Sequence, residues 1–118
     1  MLLSKATIFI LLTYIHIMQW FKVAKKSDIP IGKGKQFKIN GIDVAVFNVN
    51  GKFYAIEAYC RHQDAPLVDG LLKGDVIECH MHRWHYNVTD GRLLDHLKGV
   101  RLNTYKVEVK GDDIYVFI

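Results

Sequence analysis

Residues 37–58 read FKINGIDVAVFNVNGKFYAIEA, and this stretch decides the fold. Asn40-Gly41 and Asn50-Gly51 are the dipeptides favoured where both central residues of a tight hairpin need positive φ. Between and around them lie short runs with alternating apolar residues: 37–40, Val44 to Val49 and Phe53 to Ala58. Val44, Val46 and Phe47 are good β-formers. Downstream, Tyr105 to Val109 and Ile114 to Ile118 keep the same period, with Val107 and Val109 two residues apart. Asp90-Gly91 is a third turn dipeptide and Lys110-Gly111-Asp112 a looser fourth. No segment after Trp20 carries a long, capped helical pattern. The expected fold is therefore all-β and antiparallel.

Residues 59–97 break the rhythm and hold five of the six histidines: His62, His80, His82, His85 and His96. They read as a loop-rich excursion on a strand framework, the kind of place where functional side chains sit. Two boxes stand out in it, Cys60-Arg61-His62 and Cys79-His80-Met81-His82, with sixteen residues between His62 and Cys79. Each offers one thiolate and one imidazole, so two facing loops would supply four ligands. Thiolates suit ferric iron and sulfide, and neutral imidazoles suit a second iron. Zinc accepts the same donors in a tetrahedron. Zinc fingers usually group a Cys pair and a His pair, whereas each box here is mixed, but the donor set alone leaves zinc open.

The pattern C-x-H, sixteen residues, C-x2-H resembles that of the Rieske proteins, especially the Rieske ferredoxins. Ala65-Pro66-Leu67, Gly70, Val76-Ile77, Trp84, Tyr86 and Asp90-Gly91 agree with it, and the similarity runs from about Phe21 to Ile118. The resemblance implies a β-sandwich or barrel framework with a cluster-binding subdomain at about 59–97. It also implies one [2Fe–2S] cluster, with Cys60 and Cys79 on one iron and His62 and His82 on the other. His80 adjoins Cys79, but the family's spacing selects His82; His85 and His96 read as surface or loop residues.

Two departures stand in the second box, which in the family usually reads C-P-x-H-G. Here His80 replaces the proline and Arg83 the glycine. Losing a fixed backbone and a side-chain-free turn should reshape or loosen that loop. His80 and Arg83 are thus candidates for docking or for tuning the cluster. In the respiratory and photosynthetic members a disulfide ties the loops; Ala65 and Met81 occupy those positions here, so that bridge is absent. A serine that donates to a sulfide in that class is replaced by Trp84, while its tyrosine partner has a counterpart in Tyr86. Fewer donors to sulfur disfavour the reduced cluster, which places the expected potential low in the Rieske range of about −150 to +300 mV. Tyr86 either raises it slightly through a hydrogen bond to a cysteine sulfur or is simply a packed aromatic.

A cluster with four protein ligands leaves no open site for a substrate, and the chain is too short for a Rieske oxygenase's catalytic domain. The resemblance implies an electron-transfer protein, not an enzyme: a ferredoxin between a reductase and a terminal oxygenase or similar partner. If its histidines lose protons on oxidation, the potential should fall at alkaline pH. The alternatives are a membrane-anchored Rieske subunit of a respiratory complex and a zinc-stabilised binding module.

The bulk numbers fit one domain. The chain has 118 residues, 50% apolar and 24% charged, with net charge +4 and two cysteines, not a secreted disulfide pattern. Six lysines between Lys22 and Lys38 read as a solvated face or as a docking face for an acidic partner. No aromatic-interleaved arginine stripe or helix-turn-helix pattern is present, which speaks against nucleic acid. Residues 1–19 form an apolar leader or anchor ahead of a domain at 20–118. From Ala6 to Met18 the stretch is about 13 residues, short of the roughly 20 a spanning helix needs. A dispensable leader starting upstream of Met18, a membrane anchor, and a signal or buried apolar helix all stay open. A cytoplasmic place is expected, or a membrane-anchored one if residues 1–18 are retained. N-terminal sequencing of the native protein separates these readings.

Overall fold

The computed structural model describes residues 17–81, 83–95 and 97–118. Nine strands build it: β1 (Trp20–Lys25), β2 (Gly34–Ile39), β3 (Ile42–Val49), β4 (Lys52–Glu57), β5 (Leu71–Lys73), β6 (Val76–Glu78), β7 (His85–Asn87), β8 (Thr104–Lys110) and β9 (Asp113–Phe117). Two 3₁₀ turns, Lys26–Asp28 and Leu67–Asp69, interrupt them, and no α-helix occurs among the described residues. The apolar N-terminal helix left open above falls mostly on residues 1–16, which lie outside the described residues; 17–19 carry no helix.

Six strands pair in the order β1-β9-β8-β4-β3-β2, every pairing antiparallel, as a nearly closed barrel-like sheet. The two Asn-Gly hairpins form as expected. Asn40 and Gly41 lie at φ 52° and 78°, and Asn50 and Gly51 at 53° and 94°. At Asp90-Gly91 only the glycine is left-handed. The Asp90 carboxylate accepts from the Arg92 amide at 2.9 Å and Gly91 N–H donates to the Asn87 carbonyl at 2.7 Å, which makes a wider turn than a two-residue hairpin.

β3 explains the unbroken apolar run VAVF, because it is buried on both faces. Val44 and Val46 face one core with Ile29, Phe53, Ala55, Ile114, Val116 and Ile118. Ala45 and Phe47, one residue out of phase, face a second core with Ile56, Leu67, Ile77, Tyr86, Val88 and Leu102. The second core also contains Cys60 and Cys79 and is where the three-stranded sheet β5-β6-β7 joins the framework. The thiols are therefore anchored on the framework's own packing.

Gly70 makes that junction. It ends the 3₁₀ turn Leu67–Asp69, its N–H donating to the Leu67 carbonyl at 3.0 Å. A Cβ at Gly70 would run into the backbone carbonyl oxygen of Glu78, the residue before Cys79. Only a residue without a side chain lets the first loop close on β6 here.

Candidate metal centre

The two cysteine loops are wired alike. In the first, Cys60 N–H donates to the Ala65 carbonyl at 2.9 Å and Asp64 N–H donates back to the Cys60 carbonyl at 2.8 Å. In the second, Cys79 N–H donates to the Trp84 carbonyl at 2.8 Å and Arg83 N–H to the Cys79 carbonyl at 2.9 Å. The fourth residue after each cysteine is left-handed, Asp64 at φ 52° and Arg83 at φ 57°. Aligned on their cysteines, the two loops share no other residue at the same position, so the sequence shows no such repeat.

Arg83 thus keeps a backbone conformation that glycine adopts freely, at a cost of about 1 kcal/mol for a residue with Cβ. The turn stays closed by its two hydrogen bonds, so the departure from the family's glycine strains this loop without opening it. Arg83, His80 and Met81 are exposed.

Cys60 and Cys79 are both fully buried and are not joined in a disulfide. His62 is exposed, and its ring stacks on Trp84 of the other loop, centroids 4.5 Å apart and planes 21° from parallel. Two thiols at the feet of matched loops, with an imidazole at the surface, suit a group needing thiolates inside and a histidine outside. His82 lies outside the described residues, as does His96. Among the described residues no three His, Cys, Asp or Glu side chains gather into a closed metal site.

Tyr86 is fully buried, and its hydroxyl lies 3.4 Å from Cys60 Sγ. The Arg61 amide donates to the same oxygen at 3.2 Å; towards a thiolate, which has no proton to give, the phenol is the donor. Burial, then the hydrogen bond with Cys60, pushes the phenol well above its ordinary range, so it stays a donor. Tyr86 is thus both a packed aromatic and the hydrogen-bond partner of the Cys60 sulfur. Removing one neutral hydrogen bond costs about 1 kcal/mol, and a one-electron couple moves roughly 59 mV per tenfold change. Tyr86→Phe is therefore expected to lower the midpoint potential by about 40 mV, read by a spectroelectrochemical titration. An unshifted midpoint would assign Tyr86 to packing alone.

Other supports were not legible as such. Glu57, at the end of β4, takes Arg61 in a two-point bond, Oε2 to Nε at 3.1 Å and Oε1 to Nη2 at 2.6 Å. The same carboxylate accepts from the Asn103 amide at 2.7 Å. Burial opposes its charge, but these donors outweigh burial and hold its carboxyl below the usual range. The first loop is thereby tied to β4 and to the entry of β8.

His85 also exceeds its expectation as a surface residue. It faces Glu78 across β6 and β7, Nε2 to Oε1 3.0 Å, and Asp95 from the following segment, Nδ1 to Oδ1 3.1 Å. The Asp95 bond raises its pKa; burial opposes this and Glu78 adds to it. A neutral imidazole has one N–H and can serve only one of the two carboxylates. Stability from this bridge is full below the unfolded-state pKa of about 6.5 and is lost as pH rises through the higher folded value. The ring is partly exposed, so solvent screening limits the effect to less than about 1 kcal/mol. Urea midpoints should fall as pH rises from about 6 to 8 in the native chain and stay flatter in His85→Gln.

A strand framework thus presents two matched cysteine loops, each with a buried thiol at its foot and one sulfur backed by a tyrosine. The Rieske [2Fe–2S] domain model matches residues 19–106, and the chain belongs to that family. It is 38% identical over 98 residues to the ferredoxin CarAc of Metapseudomonas resinovorans, covering 82% of this chain and 92% of that one. It is 34% identical over 91 residues to the ferredoxin component of the naphthalene 1,2-dioxygenase/salicylate 5-hydroxylase systems of a Ralstonia species, covering 77% and 88%. Among solved structures, a chain in the complex of reduced oxygenase and oxidised ferredoxin of carbazole 1,9a-dioxygenase aligns with TM-score 0.76 at 37% identity, covering 83% and 92%. The carbazole 1,9a-dioxygenase ferredoxin of Nocardioides aromaticivorans IC177 aligns with TM-score 0.77 at 27% identity, covering 82% and 95%.

The family decides what the donors alone left open: the group is one [2Fe–2S] cluster, not zinc. The buried, unbridged thiols fit it. Among the described residues no helix is long and apolar enough to cross a membrane.

Proposed function

We propose that this chain is a one-electron carrier of a multicomponent oxygenase system, with Cys60 and Cys79 holding one iron and His62 and His82 the other. The Rieske domain spans 20–118, and 59–97 is its cluster-binding part. The observation that carries this reading is the pair of identically wired loops, each with a buried cysteine at its foot. A bound [2Fe–2S] cluster supplies one reversible one-electron couple.

The chain's own residues set the terms of that couple. Cys60 and Cys79 keep their thiolates out of water, and Tyr86 donates to one of them. Glu57, through Arg61, steadies the loop that carries His62. Met81 on the second loop is exposed, and so is Leu94, whose amide donates to the His85 carbonyl just past that loop; both offer apolar contact to a redox partner. The six lysines between Lys22 and Lys38 lie on β1, β2 and the segment joining them, none on the cysteine loops. Partner reduction rates that ignore ionic strength would exclude a role for them in docking.

The relatives' names and the oxygenase–ferredoxin complex support a terminal oxygenase as acceptor; the donor in this reading is a reductase. We place the protein in the cytoplasm, where thiols stay reduced. The membrane-anchored alternative attaches to residues 1–18.

Stopped-flow mixing of the reduced protein with an oxidised Rieske oxygenase tests the role. One electron per chain should pass to the oxygenase faster than the protein reoxidises in buffer. Equal rates with and without the oxygenase would sink it.

A further inference from the structure

Arg61 joins the outside of the first loop to its buried foot. Its guanidinium is held by Glu57 at the end of β4, Nε to Oε2 at 3.1 Å and Nη2 to Oε1 at 2.6 Å. Glu57 is itself fixed to the entry of β8. Its carboxylate accepts the Asn103 amide at 2.7 Å, and its own amide donates to the Asn103 carbonyl at 3.0 Å. On the inner side, the Arg61 amide donates to the hydroxyl of buried Tyr86 at 3.2 Å. That hydroxyl lies 3.4 Å from Cys60 Sγ. A connected path thus leads from Asn103 through Glu57, Arg61 and Tyr86 to the sulfur.

We infer that Glu57 is a positioning residue for the redox potential: through Arg61 it sets the hydrogen bond that Tyr86 gives to Cys60. This deepens the electron-carrier reading and rests on Cys60 being a cluster ligand. Residues 61–64 are all exposed and lie outside any strand, and Arg61 opens that stretch. A carboxylate that grips a guanidinium at two points admits one orientation where a single bond admits several. The grip therefore fixes the start of the exposed stretch, and with it the amide that meets the phenol. With that amide in place the phenol oxygen accepts one bond while its O–H gives another. Hydrogen bonds joined in this way polarise and strengthen one another.

The sign of the effect follows from charge. The reduced cluster carries one more negative charge than the oxidised one, so a donor to sulfur stabilises it more. A slack Tyr86 bond lowers the potential. Removing the Glu57 charge outright acts in the opposite sense, because it leaves the Arg61 cation unpaired beside a ligand. The informative variants therefore keep both charges and lose only the geometry. Glu57→Asp shortens the stem by one methylene, and Arg61→Lys exchanges the planar fork for a point charge. A direct field from either residue reaches the cluster whether or not residue 86 has its hydroxyl. An effect relayed by Tyr86 does not.

The test is a double-mutant cycle on the iron-loaded full chain: native, Glu57→Asp, Tyr86→Phe and the double variant. Midpoints are read by spectroelectrochemical titration, and cluster content by iron assay and visible spectrum. Weakening the bond to sulfur by half should shift the one-electron equilibrium toward the oxidised form roughly twofold, about 20 mV at roughly 59 mV per tenfold. Glu57→Asp is expected to lower the midpoint by that amount in the native background and to leave it unchanged in the Tyr86→Phe background. No fall in the native background overturns the proposal. So does an equal fall in both backgrounds, which would make Glu57 a source of field or of general loop stability. Arg61→Lys carries the same cycle should Glu57→Asp fail to load iron, and loss of iron from both would assign the pair to holding the cluster and overturn the tuning role. EPR of the reduced native chain keeps this proposal apart from the carrier reading. A native chain without a [2Fe–2S] signal overturns both, whereas a normal signal with no coupling in the cycle overturns the role of Glu57 alone.

Discussion

Cys79→Ala is expected to yield a chain that folds poorly and retains almost no iron. Loss of an outer hydrogen-bond partner already weakens metal sites 10–100-fold, roughly, and loss of a ligand should exceed about 100-fold. Alanine supplies no donor at this position, which is fully buried in the core with Ile77, Tyr86 and Leu67. Metal binding and folding are coupled, so the thermal midpoint should fall with the iron content. Met81→Ala is the control. Met81 is two residues further on and exposed, and that variant should keep its iron and its colour. Iron assay and visible spectra on both proteins check the pair.

The second large effect is mechanical. Gly70→Ala should destabilise the chain by about 3 kcal/mol, the upper end of ordinary overpacking, because the obstacle is a backbone carbonyl and not a flexible side chain. Relief requires moving β6, and β6 leads straight into Cys79. The variant should therefore also hold its cluster less firmly. Gly74→Ala gives the contrast. That glycine is left-handed at φ 60° but has open space around its missing Cβ, so its cost is only the backbone term of about 1 kcal/mol. Urea denaturation of the two variants separates collision from conformation. Equal losses would mean that the Gly70 contact relaxes cheaply.

Much of this molecule is legible in its residues. Asn40-Gly41 and Asn50-Gly51 specify their hairpins because the turn type demands positive φ at both positions and few other residue pairs supply it. The apolar run of β3 is less transparent. Its period of two is masked because both faces are buried, and only the fold shows that Val44 and Phe47 serve different cores. The cysteine boxes were recognisable from spacing and resemblance.

Their matched backbone wiring was not, since hydrogen bonds from Cys60 and Cys79 to residues five positions on depend on φ and ψ and not on residue type. His85 looked like a surface residue because its partners lie seven residues before it and ten after it. Sequence separation hides such a bridge, and so does the absence of any helical or strand period linking the three. Glu57 and Arg61 carry an i, i+4 signal, but at the end of a strand that spacing predicts nothing about contact.

Low-temperature EPR and ENDOR of the reduced, iron-loaded native chain report the cluster and its ligands. Two thiolates on one iron and two histidines on the other require a rhombic [2Fe–2S] signal carrying nitrogen couplings from two coordinated imidazoles, and one of these should vanish in His62→Ser if a cluster is retained. A [2Fe–2S] signal without histidine couplings, or a colourless protein with one zinc per chain, would contradict it.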